Sequence, residues 1–253
     1  MTQIKMQFSQ QKKLKILCLH GGGEEVTNFY NHLSTLIKAV GPDIEFFLAQ
    51  APNIGNLWVP DPPLGKKVPT LNTTVASASV NYLNRYLQLN GPFDGILGYS
   101  QGAMFATYYL SVVPPNTFAF ALMFCGYLPT THLGLLNLIN KNSPFDNIRT
   151  LVFSGANDYI IHPSLTDDLA RKFNSPIRVI SYDAGHHLPK ASDKTFNIVV
   201  NFIRSEHKKT TLEGTRYKSL YTPHIQDTLN SVGARNRFAR KAIRRDAYKN
   251  CHC

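Results

Sequence analysis

The residues 98–102, Gly-Tyr-Ser-Gln-Gly, close the apolar run Phe-Asp-Gly-Ile-Leu at 93–97. A serine hydroxyl is a weak nucleophile, useful only when the chain exposes it beside a base and offers donors to the oxyanion it generates. A tight strand-to-helix turn does the exposing. Glycines two before and two after Ser100 let neighbouring backbone approach without a Cβ clash. Gln101, first on the following helix, presents its backbone N–H toward the same point with the helix dipole behind it. The same five residues also describe an ordinary helix start capped by Ser100, so the partners decide.

In a hydrolytic triad of this type the acid and then the base follow the serine in chain order, each just past a later strand. Residues 149–154 are strand-like and lead into Ser-Gly-Ala-Asn-Asp, which places Asp158 in such a loop. Residues 177–182 lead into Asp-Ala-Gly-His-His-Leu-Pro, which places His186 and His187 in the next one. Asp183 competes as the acid but lies three residues before His186 on one turn, and Asp167 and Asp168 fall inside a helix. Asp158 is preferred. His187 competes as the base, and Gly185 favours His186 by freeing the backbone that aims it. His162 reads as a loop residue before Pro163.

His-Gly-Gly-Gly at 20–23 ends the first apolar strand, where a second oxyanion N–H is expected. A phosphate-binding reading of these glycines lacks both the Gly-Lys-Ser/Thr ending and the spaced G-x-G-x-x-G pattern. No cofactor and no metal is expected. The terminal Cys-His-Cys at 251–253 puts three ligand types in consecutive residues, which rarely reach one tetrahedral ion together.

The elements that would position these residues alternate regularly. Strands are expected at 13–19, 43–50, 93–98, 117–124, 149–154 and 177–182, and helices at 24–40, 72–89, 101–112, 163–173 and 191–205. Apolar strands without polar alternation call for a parallel sheet covered on both faces. Such a sheet binds ligands at the carboxyl ends of its strands, where every residue singled out above lies. The Pro- and Gly-rich stretch 51–69 reads as a long loop and 126–147 as loop-rich.

Of the formal charge of +11, residues 207–253 carry +8, from eleven Lys and Arg against three Asp and Glu. The basic character therefore belongs to an appendage, and no specific nucleic acid is expected. The organisation expected is an arm at 1–12, a domain at 13–206 and a basic, partly helical or disordered tail at 207–253. If 224–249 is helical, Ile225, Leu229, Val232, Ala239 and Ile243 line one side, a pattern suited to an anionic membrane or a polyanionic partner. Cys18 and Cys125 sit far apart in apolar runs, which fits reduced thiols. No apolar run approaches the roughly 18 residues of a spanning helix, and a cytoplasmic protein, with nuclear residence as a variant, is expected.

Residues 91–103, Gly-Pro-Phe-Asp-Gly-Ile-Leu-Gly-Tyr-Ser-Gln-Gly-Ala, resemble the serine block of the FSH family of serine hydrolases, that of the ovarian cancer-associated protein, within the α/β-hydrolases. The blocks at 16–21, 154–163 and 184–189 resemble its other motifs in order, and the likeness covers about 13–206. It implies an α/β-hydrolase with a mostly parallel sheet of about six strands, acting on carboxylic esters or thioesters, including acyl groups carried by partner proteins. It matches Ser100 to the nucleophile, Asp158 to the acid, His186 to the base, and Gly22 and Gln101 to the oxyanion donors. The chain departs from the family after His20-Gly21, where Gly-Gly-Glu-Glu replaces an aromatic followed by polar residues. Trp58 alone stands for a tryptophan-containing segment.

The expected pocket walls are Trp58, Tyr99 and Tyr127, with 126–139 forming a partial lid, an acyl groove or an ordinary core helix. The expected substrate is a short- to medium-chain ester or thioester. A hydrolase fold kept as a binding module is the alternative.

Overall fold

The computed structural model describes residues 13–65 and 68–212. The arm at 1–12, the expected tail helix at 224–249 and the terminal Cys-His-Cys lie outside the described residues. Six strands form one parallel sheet in the order β2-β1-β3-β4-β5-β6. They are β1 (Leu14–Leu19), β2 (Ile44–Ala49), β3 (Gly95–Tyr99), β4 (Phe120–Phe124), β5 (Arg149–Gly155) and β6 (Ile177–Ser181). The helices are α1 (Val26–Val40), α2 (Ser77–Asn90), α3 (Gln101–Val112), α4 (Leu133–Asn142), α5 (Pro163–Ala170) and α6 (Phe196–Leu212).

Alternate strand residues feed two cores, because successive side chains point to opposite faces. Leu14, Ile16, Leu122 and Phe153 pack under α1 and α6, while Leu17, Leu19, Ile96 and Met123 pack under α2 to α5. On α1 the buried Phe29, Leu33, Leu36 and Val40 recur at helical spacing, which fixes the face turned to the sheet. Each such side chain contributes about 1.5–3 kcal/mol by leaving water.

The chain leaves β1 for β2 on one side and returns as β3 on the other, so the strand order reverses at β1 and β3. Open parallel sheets carry their binding crevice at such a reversal. Register pairs Leu19 with Gly98 and Tyr99 with Phe124. The loops after β1, β3 and β4 therefore start at one level, and the elements that hold Ser100, Gly22 and Gln101 meet there.

Three helices differ most from the periodicity. α2 starts at Ser77 rather than 72, because the Asn72 side chain accepts from both the N–H and the hydroxyl of Thr74, each at 2.8 Å, and folds 72–74 into a turn. α6 starts at Phe196 rather than 191, since Asp193 makes the same kind of turn with Thr195, and it runs to Leu212, past the expected end at 205. Its continuation is pinned by Glu206, only 1% exposed and bonded to Arg149 and Lys209. Residues 133–142 form α4, with Leu135 and Ile139 fully buried, so this segment is a core helix and not a lid.

Candidate active site

Ser100 follows the last residue of β3 and precedes the first of α3, with φ 53° and ψ −119°. A left-handed serine costs of order 1–3 kcal/mol and persists only where its surroundings enforce it. Here the Ser100 N–H donates to Phe124 O at 2.9 Å, and its carbonyl accepts from Ala103 and Met104. The flanking glycines make the turn possible. A Cβ on Gly98 would lie 2.5 Å from Ala103 Cα, and one on Gly102 only 2.2 Å from Leu19 O. The serine makes no side-chain cap to α3, so the helix-start reading fails. Its Oγ instead lies 3.0 Å from His186 Nε2.

The other His186 nitrogen, Nδ1, is 2.7 Å from Asp158 Oδ2. Asp158 is 2% exposed, and its Oδ1 accepts from the N–H groups of Ile160 and Ile161 at 3.0 and 2.8 Å. Three hydrogen bonds thus support a carboxylate that has lost its water. The loops bearing Asp158 and His186 meet because β5 and β6 end side by side. Asn157 N–H donates to Ala184 O at 3.0 Å, and a Cβ on Gly155 would strike the same carbonyl at 2.4 Å.

The competing residues are engaged elsewhere. Asp167 and Asp168 pair with Arg171, and Asp167 also with Arg178. Asp183 is exposed. His187 uses Nδ1 on Leu188 O and accepts from Gly185 N–H through Nε2, stapling its own loop. His162 is more than a loop residue: it is the N-cap of α5 and accepts from Ser164 N–H at 3.3 Å.

Of the two expected oxyanion donors, Gly22 is exposed, and a Cβ on it would sit 3.2 Å from the Gln101 side chain. The N–H groups of Gly22 and Gln101 have no acceptor among the described residues. Gly22 is the second residue of the turn after β1, and Gln101 is the first residue of α3.

Two of the expected pocket walls have other roles. Trp58 is fully buried, its indole N–H donates to His20 O at 2.9 Å, and its ring stacks on Phe105 at 5.4 Å. It braces the loop after β1 from within the core and lines no open pocket. Tyr99 stacks on Phe29 at 6.2 Å and donates its phenol to the His186 carbonyl at 2.8 Å. Burial pushes that phenol well above the usual tyrosine range, so it stays a donor. Tyr127 is half-buried against the α2 to α5 core, its phenol pushed up to about 12 by burial first and the charge of Asp61 second.

Side-chain roles that the sequence does not signal complete the site. His20 Nε2 accepts from Ala51 N–H at 2.9 Å, so the proton is on Nδ1, which donates to Gly21 O at 2.7 Å. Burial lowers its pKa against the smaller effects of Gly21 and Glu24, and His20 is a neutral strut. Gln101 lends its side chain as well as its backbone, accepting from Trp58 N–H at 2.8 Å and donating to Val59 O at 3.1 Å. Cys125 sits beside Asp158 with its thiol pushed up to about 12 by burial, then by the Asp158 charge, and donates to His187 O. It is no nucleophile.

The family model of serine hydrolase (FSH1) matches residues 65–198, more than half of the chain. The chain belongs to that family. It is 28% identical over 220 residues to Esterase C25G4.2 of Caenorhabditis elegans, covering 79% of this chain and 96% of that protein. Esterase OVCA2 of Xenopus tropicalis is 24% identical over 214 residues, 72% of this chain and 88% of that one. Among solved structures, Zea mays acyl-protein thioesterase 2 superposes with a TM-score of 0.58 at 21% identity, over 78% of this chain and 95% of that one. The fold of this serine hydrolase is that of the α/β-hydrolases.

Proposed function

We propose that this serine hydrolase cleaves carboxylic esters or acyl thioesters of short to medium chain through Ser100, His186 and Asp158, by way of an acyl-enzyme. The observation that carries the reading is the unbroken line Ser100 Oγ, His186 Nε2, His186 Nδ1, Asp158 Oδ2, with steps of 3.0 and 2.7 Å. Ser100 Oγ attacks the acyl carbon while its proton moves to His186 Nε2. Asp158 holds the imidazole with its proton on Nδ1 and stabilises the imidazolium that forms. The carbonyl oxygen, now an oxyanion, accepts from the N–H groups of Gly22 and Gln101. Loss of one such donor costs about 3 kcal/mol, or about two orders of magnitude in rate.

The C–O or C–S bond then breaks, and the leaving alcohol or thiol takes the proton from His186. Water enters, gives a proton to His186 and attacks the acyl carbon; the C–Oγ bond breaks, Ser100 is reprotonated and the acid leaves. The esterase names of the relatives and the thioesterase name of the structural neighbour support this substrate class. The test is labelling by a fluorophosphonate. Wild type is expected to label and Ser100→Ala to remain unlabelled with the same circular dichroism. A folded wild type that takes no label overturns the reading. Aryl esters and acyl thioesters of rising length then give the chain preference.

A further inference from the structure

Residues 21–24 form a tight turn in which Glu24 N–H donates to Gly21 O at 3.2 Å. Gly23, at its third position, has φ +79°, as a type II turn requires. Glu24 closes the turn a second time, because its Oε2 accepts from Gly21 N–H at 3.0 Å. Gly23 N–H donates outward to Asn56 O at 3.1 Å. Of three consecutive glycine donors, the first and third are thus committed. The second, on Gly22, has no acceptor among the described residues. A free donor between two fixed ones has lost most of its freedom to turn.

The carboxylate is also largely buried. Its side chain is 13% exposed, and Oε1 lies 2.8 Å from Nδ1 of His32 on α1. The carboxylate therefore sits between α1 and the turn after β1, next to a residue whose Cβ position faces the Gln101 side chain at 3.2 Å. We infer that Glu24 is a positioning residue that aims the Gly22 N–H at the developing oxyanion. The inference rests on the esterase reading above and deepens it.

The chemistry separates the acceptor from the charge. Aiming the donor requires only an oxygen that reaches Gly21 N–H, which glutamine also supplies. The negative charge works the other way, since it repels the oxyanion that Gly22 is to bind. An interaction used mainly in the transition state appears in kcat and leaves KM nearly unchanged. Aspartate keeps the charge but is one methylene too short for the bond.

The test compares Glu24→Ala, Glu24→Asp and Glu24→Gln with the wild-type full chain on a soluble aryl ester. Ala and Asp are expected to lower kcat about 10- to 100-fold, part of what a lost oxyanion donor costs. KM is expected to stay within about twofold, and Gln to stay within about threefold of wild-type kcat. An acyl trifluoromethyl ketone, which forms a tetrahedral adduct on serine, is expected to bind more weakly to Ala and Asp by the same factor. Melting curves identify any variant that fails to fold; Asp, closest in size and charge, carries the test if Ala does. Full kcat in folded Ala or Asp overturns the inference, as does a Gln variant as slow as Ala. A wild type that neither labels nor hydrolyses overturns instead the function it rests on.

Discussion

A Cβ on Gly102, in the turn after β3, would lie 2.2 Å from Leu19 O, whereas one on Gly22, in the turn after β1, would meet only the Gln101 side chain at 3.2 Å. The first turn is held by the absence of side chains, with backbone against backbone. The second is held by side chains, through the Glu24 carboxylate, the His20 imidazole and the Trp58 indole. A steric turn admits one residue at its contact points. A turn built of hydrogen bonds can be weakened by degrees and responds to protonation.

Breaking the steric turn gives the largest effect. Gly102→Ala sets a methyl inside two carbonyls of the β1 end and is expected to destabilise by about 3 kcal/mol or more in urea denaturation. Stability equal to wild type would mean that α3 slides freely away from β1.

The hydrogen-bonded turn is expected to yield partially, and with pH. His20→Gln leaves the Gly21 carbonyl and the Ala51 N–H without their imidazole partner and is expected to cost about 2 kcal/mol at neutral pH. Burial lowers the His20 pKa below the ordinary imidazole value of 6.5, so the unfolded chain binds the proton more readily. The imidazole's contribution is therefore complete above 6.5 and declines as pH falls below it toward the lowered folded value. The gap between wild type and His20→Gln, read from urea melts along a pH series, is expected to narrow on acidification. A constant gap would show that His20 does not titrate differently in the two states.

The smallest effect is expected at Gly22→Ala. Its methyl would sit 3.2 Å from a Gln101 side chain held by Trp58 and Val59, which must give by a few tenths of an ångström, so stability is expected to fall by about 1 kcal/mol in a thermal melt. A large loss would place the second turn in the same rigid class as the first.

The legible part of the molecule is what adjacent residues decide. Ser100, Asp158 and His186 announce themselves because each follows an apolar strand in a short polar or glycine-rich turn, and strand followed by helix implies a parallel sheet. The hidden part depends on pairs far apart in the chain. Trp58 reads as a loop aromatic until its indole is found on His20, and Tyr99 as a pocket wall until its phenol is found on His186. Glu24 sits close to Gly21 in sequence, yet its bond needs the turn to exist first. The start of α6 was masked by Asp193, whose bonds to Thr195 and Ser181 displace the first helical turn.

The Tyr99 phenol closes a circuit. From Ser100 the path runs through one peptide to Tyr99, along its ring to the His186 carbonyl, through the imidazole and back to the serine oxygen. Ser100 and His186 are thus two points on one closed loop of covalent and hydrogen bonds, where a shift of either must strain a named link. Cutting the phenol link, as in Tyr99→Phe, would turn that truss into a hinge, leaving the imidazole to be held against Ser100 by Asp158 and its own loop alone.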